Sequence, residues 1–283
     1  MWTQRQLLDG IKNIGLSSGS AVIVHASMEA IGPIEGGPDT LVAAFREALG
    51  AAGTLLVPCF GRNSQDLPVG HSPDISDADK SVSLNDESES DPTDSAILGS
   101  GTGSFADAVL RQPDVQVSDH PLFSFAALGA EAEAMTSHAP FHYPLGSEGP
   151  LARVHQRNGW ILLVGVDHTA NASLNLAEIW ANVPYVHRSV RTAAAGGVKL
   201  TMQGNPECTA GFVKIEPLLR QSRILSRGPI GSAESRLMRQ QQTVSMAVAM
   251  LEGSASALLC DDSTCRACNA ARRMTADQVA EPI

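Results

Sequence analysis

The 283-residue sequence has no apolar run approaching the roughly 18 residues that a membrane-spanning helix needs. Its first residues, MWTQRQLLDGIKNIGL, read as an amphipathic helix and lack the basic start, continuous apolar stretch and small-residue cleavage site of a signal peptide. The chain is therefore expected in the cytoplasm, without a membrane partner. Five cysteines, at 59, 208, 260, 265 and 268, are an odd number in a long chain, which argues against a disulfide framework and for reduced thiols. Positive charge is short as well. Twenty Lys and Arg against 30 Asp and Glu leave a net charge of −10, which argues against nucleic acid as a partner. No internal repeat is visible.

What is present is ordinary for a globular protein: 43% hydrophobic and 18% charged residues, in a chain long enough for a sizeable core. One main domain spanning 1–283 is expected. The acidity is concentrated in residues 74–94, DISDADKSVSLNDESESDPTD, which hold eight Asp/Glu and one Lys, a local balance of −7. That stretch lies inside residues 62–101, which are polar, rich in Ser, Asp, Gly and Pro, and weakly periodic, so they read as a long inserted loop. Residues 200–283 are expected to pack on the core as its C-terminal part.

Three short runs, AVIVHAS from 21, TLLVPCF from 54 and WILLVGV from 160, are almost wholly apolar and suit strands buried on both faces of a sheet. Between the first two, GGPDTLVAAFREALGAAG has Pro38 in place for a first helical turn, Leu41, Phe45 and Leu49 on one face, and Gly50 to end it. Strand, helix and strand make a βαβ unit, so the fold class is α/β, with a central sheet, mostly parallel or mixed, flanked by helices. GSFADAVLRQP from 103 reads as a short helix with Ser104 as a cap candidate. SAESRLMRQQQTVSMAVAMLEG from 232 reads as a longer one, capped by Ser232, with Leu237, Val244, Val248 and Leu251 as its buried stripe.

Chemistry is expected at the strand ends, because ligands of open α/β sheets bind beyond the carboxyl ends of the strands. His168 follows ILLVGVD, His25 follows AVIV and His120 follows DVQV. A histidine there serves equally well as a base or as a partner for a backbone carbonyl. Glu178, on the helix after His168, is placed either to fold back towards that strand end or to face solvent. A carboxylate on one imidazole nitrogen would make the other a better base. Asp66, Asp167 and Asp119 are candidate carboxylates for a cationic ligand, each with the plain alternative of a solvated charge.

The blocks VIVHASMEAIGPIEGGPDTLVAAFREALGAAGTLLVP, DHPLFSFAALG, PLGSEGPLARV, WILLVGVDHTANASLNLAE and CDDSTCRACNAARR together resemble the aminoglycoside 3-N-acetyltransferase family, in the family's order along the chain. The resemblance implies transfer of acetyl from acetyl-CoA, as cosubstrate, to the 3-amine of a deoxystreptamine antibiotic, a small polyamine, by a monomer or homodimer. It implies His168 as general base, with Glu178 orienting it or binding the ammonium, and Asn171 beside it. It places His25 and Ser27 against acetyl-CoA. Thr102 and Ser104, in the glycine-rich GSGTGS, are expected at its phosphates, with a plain Gly/Ser linker as the alternative. Gly36 and Gly37, before the helix from 38, form a second helix N-terminus for which helix capping is an adequate explanation. Two departures bear on the amine: Asn175 stands where the family commonly has a second His, and Asp119 where it commonly has Ala. Two other readings stay open, an acyltransferase for a different amine and a non-catalytic binder of CoA or a cation.

The expected mechanism is direct attack in a ternary complex. A neutral imidazole relieves the amine of its proton, and backbone N–H groups or the Ser27 hydroxyl steady the oxyanion. Covalent catalysis by Cys59 is the competing route, weakened by the lack of a neighbouring His in the sequence. No metal ligand is assigned. Cys260, Cys265 and Cys268 do have the C-x4-C-x2-C spacing that invites zinc, with Cys208 or a distant His needed as a fourth ligand.

Overall fold

The computed structural model describes residues 1–60, 104–120, 123–137, 143–187, 190–193, 199–202 and 208–280. The expected loop at 62–101, with its acidic stretch, lies outside the described residues, as do Asp66 and Thr102. In chain order the first elements are α1 (Gln4–Asn13), β1 (Ala21–Ala26), the single turn α2 (Met28–Ile31), α3 (Pro38–Leu49) and β2 (Thr54–Pro58). Then come α4 (Ser104–Leu110), β3 (Gln116–Val117), β4 (Phe125–Gly129), α5 (Ala132–Thr136), α6 (Pro150–Gln156), β5 (Trp160–Val164) and α7 (Ser173–Trp180). The last are β6 (Val190–Ala193), β7 (Lys199–Met202), α8 (Glu216–Gln221), β8 (Ser226–Ile230), β9 (Ala233–Arg239), α9 (Gln240–Gly253) and α10 (Arg266–Ala280).

Seven strands form one sheet in the order β3-β4-β2-β1-β5-β9-β8, and β6 and β7 pair separately. The three apolar runs take the middle: β1 pairs in parallel with both β2 and β5. The other ladders of the large sheet are antiparallel, so the sheet is mixed, and the α/β expectation is borne out. Alternation along each strand divides the core in two. Val22, Val24, Leu162 and Val164 face the layer of α1, α3 and α4, where Leu7, Phe45 and Phe105 are buried. Ile23, Ile161 and Leu163 face the layer of α6, α7 and α9, with Leu151, Leu174 and Val244.

Local signals account for the helices. Thr3 and Gln6 form a reciprocal capping box on α1, which buries Leu7, Leu8 and Ile11. Pro38 opens α3, Gly50 at φ 63° closes it, and Leu41, Phe45 and Leu49 lie buried along it as expected. Each such side chain contributes roughly 1.5–3 kcal/mol of transfer free energy. Ser104 is the first residue within α4 rather than its cap.

The helix expected from 232 needs correction. Residues 233–239 form β9, hydrogen-bonded between β5 and β8, and the helix begins only at Gln240. The strand is a two-faced one: Ala233 and Leu237 enter the α1–α4 core, while Met238 enters the α7 core. Ser232 is committed elsewhere, its hydroxyl accepting the Trp2 indole N–H at 3.2 Å and its N–H donating to Ile31 at 3.0 Å. Ladders to β5 over Ser235–Arg239 and to β8 over Ala233–Leu237 hold the segment's backbone, and that outweighs its helix propensity. Of the expected stripe, Val244 and Leu251 are buried on α9, Val248 is partly so, and Leu237 belongs to the strand.

Candidate active site

β5 delivers His168 to the carboxyl end of the parallel strands through a tight turn. Gly165 there has φ 66°, and a Cβ on it would lie 2.3 Å from the Ala30 Cβ, so only glycine fits. Asp167 caps the 3-10 turn His168–Ala170, its carboxylate accepting the Thr169 N–H at 2.8 Å and hydroxyl at 2.6 Å. The exposed Asp167 therefore has a structural duty at the place where substrate contact was expected of it.

The His168 ring is fully shielded from solvent. Burial pulls its pKa from 6.5 to about 4, with Glu216 opposing that fall and Arg236 adding to it. The ring is neutral at pH 7. Its Nδ1 lies 3.2 Å from the Asn171 side-chain nitrogen, and its Nε2 has no hydrogen-bond partner among the described residues. The Ser173 N–H donates to the Asn171 Oδ1 at 3.2 Å, which assigns the amide: the nitrogen faces the imidazole and donates to Nδ1. The proton of the neutral ring then sits on Nε2.

Glu216 and Arg236 are the charged neighbours that sequence reasoning missed. Arg236, on β9 opposite Leu163, donates to Glu216 Oε2 at 3.1 Å and to the Val166 carbonyl at 3.4 Å. Burial pushes the Glu216 pKa up, but hydrogen bonds from Arg220 and the charge of Arg236 hold it below the usual carboxylate range. A charged pair thus lies beside the buried imidazole. Reading AESRLMR with a period of two would have put Arg236 on the same face as Met238 at this strand end. No signal in EPLLRQ reveals that Glu216 meets His168.

Glu178 makes no hydrogen bond to His168; Asn171 holds that position. It is buried inside α7, its Oε2 without a partner, and burial pushes its pKa from 4.5 to about 8, with nearby Tyr185 opposing the rise. At neutral pH it is a carboxylic acid rather than a carboxylate. Asn175, one turn earlier on the same side of the helix, is also buried with an unpartnered Oδ1. The start of α7 is braced by Gln240, whose amide donates to Ser173 Oγ at 2.9 Å and to the Leu151 carbonyl at 3.1 Å.

His25 lies next to Leu163 in the β1–β5 register and, two residues beyond Ile23, points to the α7 side. Its pKa is lowered to about 3 by burial, and its Nε2 is unpartnered. Ser27, just past β1, accepts the Ala30 N–H at 3.2 Å. Gly36 and Gly37, at φ 75° and 73°, make the turn into α3, whose N-terminus lies on the carboxyl side of β1 by the connectivity of the βαβ unit. Ser104 is exposed at the start of α4. His120 and Asp119 follow β3 at the sheet edge, four positions from β5 in strand order. His120 Nδ1 accepts the Phe123 N–H at 2.9 Å, and half-buried Asp119 neighbours Arg153. Cys59 is buried in the opposite core, on the α1–α4 side.

Buried polar groups in folded proteins are nearly always paired. Here His25, His168, Asn175 and Glu178 each leave an atom unpaired on the α7 side of the strand ends, the signature of a site shaped for a ligand in an α/β enzyme. The profile of the family described as aminoglycoside 3-N-acetyltransferase matches residues 23–252, and the chain belongs to that family of acyltransferases. It is 33% identical over 252 residues to aminoglycoside N(3)-acetyltransferase IV of Salmonella sp., covering 88% of this chain and 87% of that one. Among solved structures it is similar to the apoenzyme of aminoglycoside acetyltransferase AAC(3)-IVa, with a TM-score of 0.77 at 32% identity over 96% of this chain and 97% of that one. A variant of that enzyme in complex with a gentamicin aligns with a TM-score of 0.78, at the same identity and coverage. The resemblance drawn from the five sequence blocks is borne out.

Proposed function

We propose that the chain, working in the cytoplasm as one catalytic unit, transfers acetyl from acetyl-CoA to the 3-amine of a deoxystreptamine aminoglycoside, with His168 at the reacting atoms. The observation that carries this is the buried imidazole nitrogen at the end of β5 that no described residue satisfies. Support for the antibiotic as acceptor comes from the AAC(3)-IVa variant bound to a gentamicin, at 32% identity. The unpartnered His25 Nε2 and the Ser27 hydroxyl, both at the end of β1, suit the thioester side of the site, with Gly36 and Gly37 nearer the outer part of the cofactor. Asn171 and Asn175 suit the amine side.

In this reaction the amine lone pair attacks the thioester carbon, the C–S bond breaks, and the amine proton ends on the departing CoA sulfur. His168 as general base takes the proton on Nε2 and returns it to the thiolate. That requires the ring to carry its own proton on Nδ1, so the Asn171 amide must turn its oxygen towards the ring. Giving up the Ser173 bond for this costs about 1 kcal/mol. The Asn171–Ser173 bond also favours a second reading: His168 keeps its proton on Nε2 and donates it as a hydrogen bond to the thioester oxygen as negative charge develops.

Release of CoA thiol from acetyl-CoA in the presence of gentamicin tests the activity, and two substitutions separate the readings. His168→Ala removes both roles. His168→Gln keeps an N–H donor but cannot take a proton. If His168 is the base, both variants lose about 100- to 10,000-fold in turnover; if it is the donor, the Gln variant retains at least about tenfold more than Ala. Undiminished turnover by both would remove His168 from the reaction.

A further inference from the structure

Far along the chain from the reacting imidazole, four cysteines converge. The thiols of Cys208, Cys260, Cys265 and Cys268 all lie within 4.8 Å of one another, although Cys208 is separated from the rest by α8, β8, β9 and α9. Cys260 and Cys268 are buried, and Cys208 and Cys265 are half-buried. None is in a disulfide. Four sulfurs around a zinc ion, each about 2.3 Å from it, stand about 3.8 Å apart, which these side chains reach by small rotations.

The backbone is arranged for sulfur that carries negative charge. The Cys260 N–H donates to the Cys268 thiol at 3.4 Å, and the N–H groups of Cys268 and Ala210 point at the sulfurs of Cys265 and Cys208. Such bonds orient and stabilise metal thiolates. Two cations stand by: Lys214 holds the Leu259 carbonyl at 2.7 Å and the Asp261 carboxylate at 2.6 Å, and Arg272 bonds the Cys260 carbonyl. Arg272 offsets part of the charge a tetrathiolate would bring, while that of Lys214 is met by Asp261. The two chain segments are also built to touch. A Cβ on Gly211 would lie 2.2 Å from the Leu258 carbonyl oxygen and 2.7 Å from the Cys260 nitrogen, so glycine alone permits the approach that brings Cys208 to Cys260.

We propose that Cys208, Cys260, Cys265 and Cys268 form a tetrathiolate site for one zinc ion, a structural clasp between the chain ahead of α8 and the start of α10. Four protein ligands leave no open position, so the ion takes no part in the acyl transfer. On binding, each thiol releases its proton to water and no electron moves. The clasp has a bearing on the reaction through packing alone. The 3-10 turn Ala210–Ile215 that follows Cys208 packs on the turn carrying His168 and runs directly into Glu216.

Elemental analysis of the full chain, purified without chelators, is expected to find about one zinc per chain. Titration with a mercurial should release that zinc as four thiols react. Replacement by cobalt(II) should give the thiolate charge-transfer and ligand-field bands of a tetrahedral sulfur site. Cys265→Ser, at the half-buried rim, should weaken cobalt binding about tenfold or more, while Cys59→Ala leaves zinc content unchanged. Protein with almost no metal and no cobalt bands, iron in place of zinc, or a peptide map showing these cysteines in disulfides would each overturn the proposal. The zinc content and cobalt spectrum are read on the wild-type chain, so a Cys265→Ser variant that fails to fold does not shelter it.

Discussion

On one side of the sheet Leu7, Leu41, Phe45, Phe105 and Val109 fill the space under α1, α3 and α4, with the Trp160 indole N–H as an unpaired buried group there, while on the other the α7 layer holds His25, His168, Asn175, Glu178 and Gln240, each with a buried polar atom that no described residue pairs. An unmade hydrogen bond of this kind costs roughly 1–3 kcal/mol. Several of them together rival the roughly 5–15 kcal/mol that keeps a domain folded. The apolar face therefore carries a stability surplus that the ligand-binding face draws down. Substitutions on the two faces should separate activity from stability.

The largest separation is expected at the reacting end. His168→Ala should lower turnover about 100- to 10,000-fold while acetyl-CoA binding is kept. Its thermal midpoint should fall less than that of Phe45→Ala, since the loss of buried ring is partly offset by removal of a desolvated ring nitrogen. Turnover and equilibrium dialysis of CoA on the same preparation check both halves, and a variant that merely unfolds would erase the contrast. Phe45→Ala should do the reverse. The ring is fully buried and lies 5.6 Å from that of Phe105. Its loss should cost about 3–5 kcal/mol in denaturant unfolding, with turnover per folded molecule unchanged.

The apolar face was the readable one. The strand runs at 21, 54 and 160 and the Leu41, Phe45, Leu49 stripe name their own partners, because periodicity encodes which side is buried. β9 was misread because Ser232 imitates a helix cap and the helix formers after Gln240 lent their period to the segment before it. With β9 taken for helix, Arg236 had no strand end to emerge from. Glu216 was hidden for a different reason: its partner lies far off in sequence, and only the packing of the Ala210–Ile215 turn brings it near His168. The same packing decides for Cys208, over a distant His, as the fourth residue beside Cys260. His168 was legible as a candidate, but Glu178, considered as its partner, lies buried beside Tyr185 while Asn171 meets the ring.

Acid and base should pull the α7 face in opposite directions. The Glu178 pKa rises from 4.5 to about 8 on folding, so its contribution is fully present below pH 4.5 and is lost as pH rises towards 8. His25 falls from 6.5 to about 3, so its contribution is present above pH 6.5 and is lost as pH falls towards 3. Glu178→Gln, which mimics the protonated acid, should gain on the order of 1–3 kcal/mol relative to wild type between pH 5 and pH 8. Thermal melts of both proteins at the two pH values test this. An identical pH dependence would show that the carboxyl is not held protonated.

The smallest effect expected is the most specific to the reaction. Burial sets the low basicity of His168, and on top of it Glu216 and Asp167 raise the basicity while Arg236 lowers it. Glu216→Gln keeps the acceptor for Arg236 but deletes the negative charge, leaving the guanidinium opposed only by Asp167. The ring then stays unprotonated to lower pH, so the acid limb of the pH–rate profile should move to lower pH. At pH 7, kcat/KM should fall about tenfold, equivalent to about 1.4 kcal/mol. A carboxylate that only braces α8 against β9 would change the height of the profile and leave its acid limb where it stands. The position of that limb therefore decides whether Glu216 acts on the imidazole or merely on the scaffold around it.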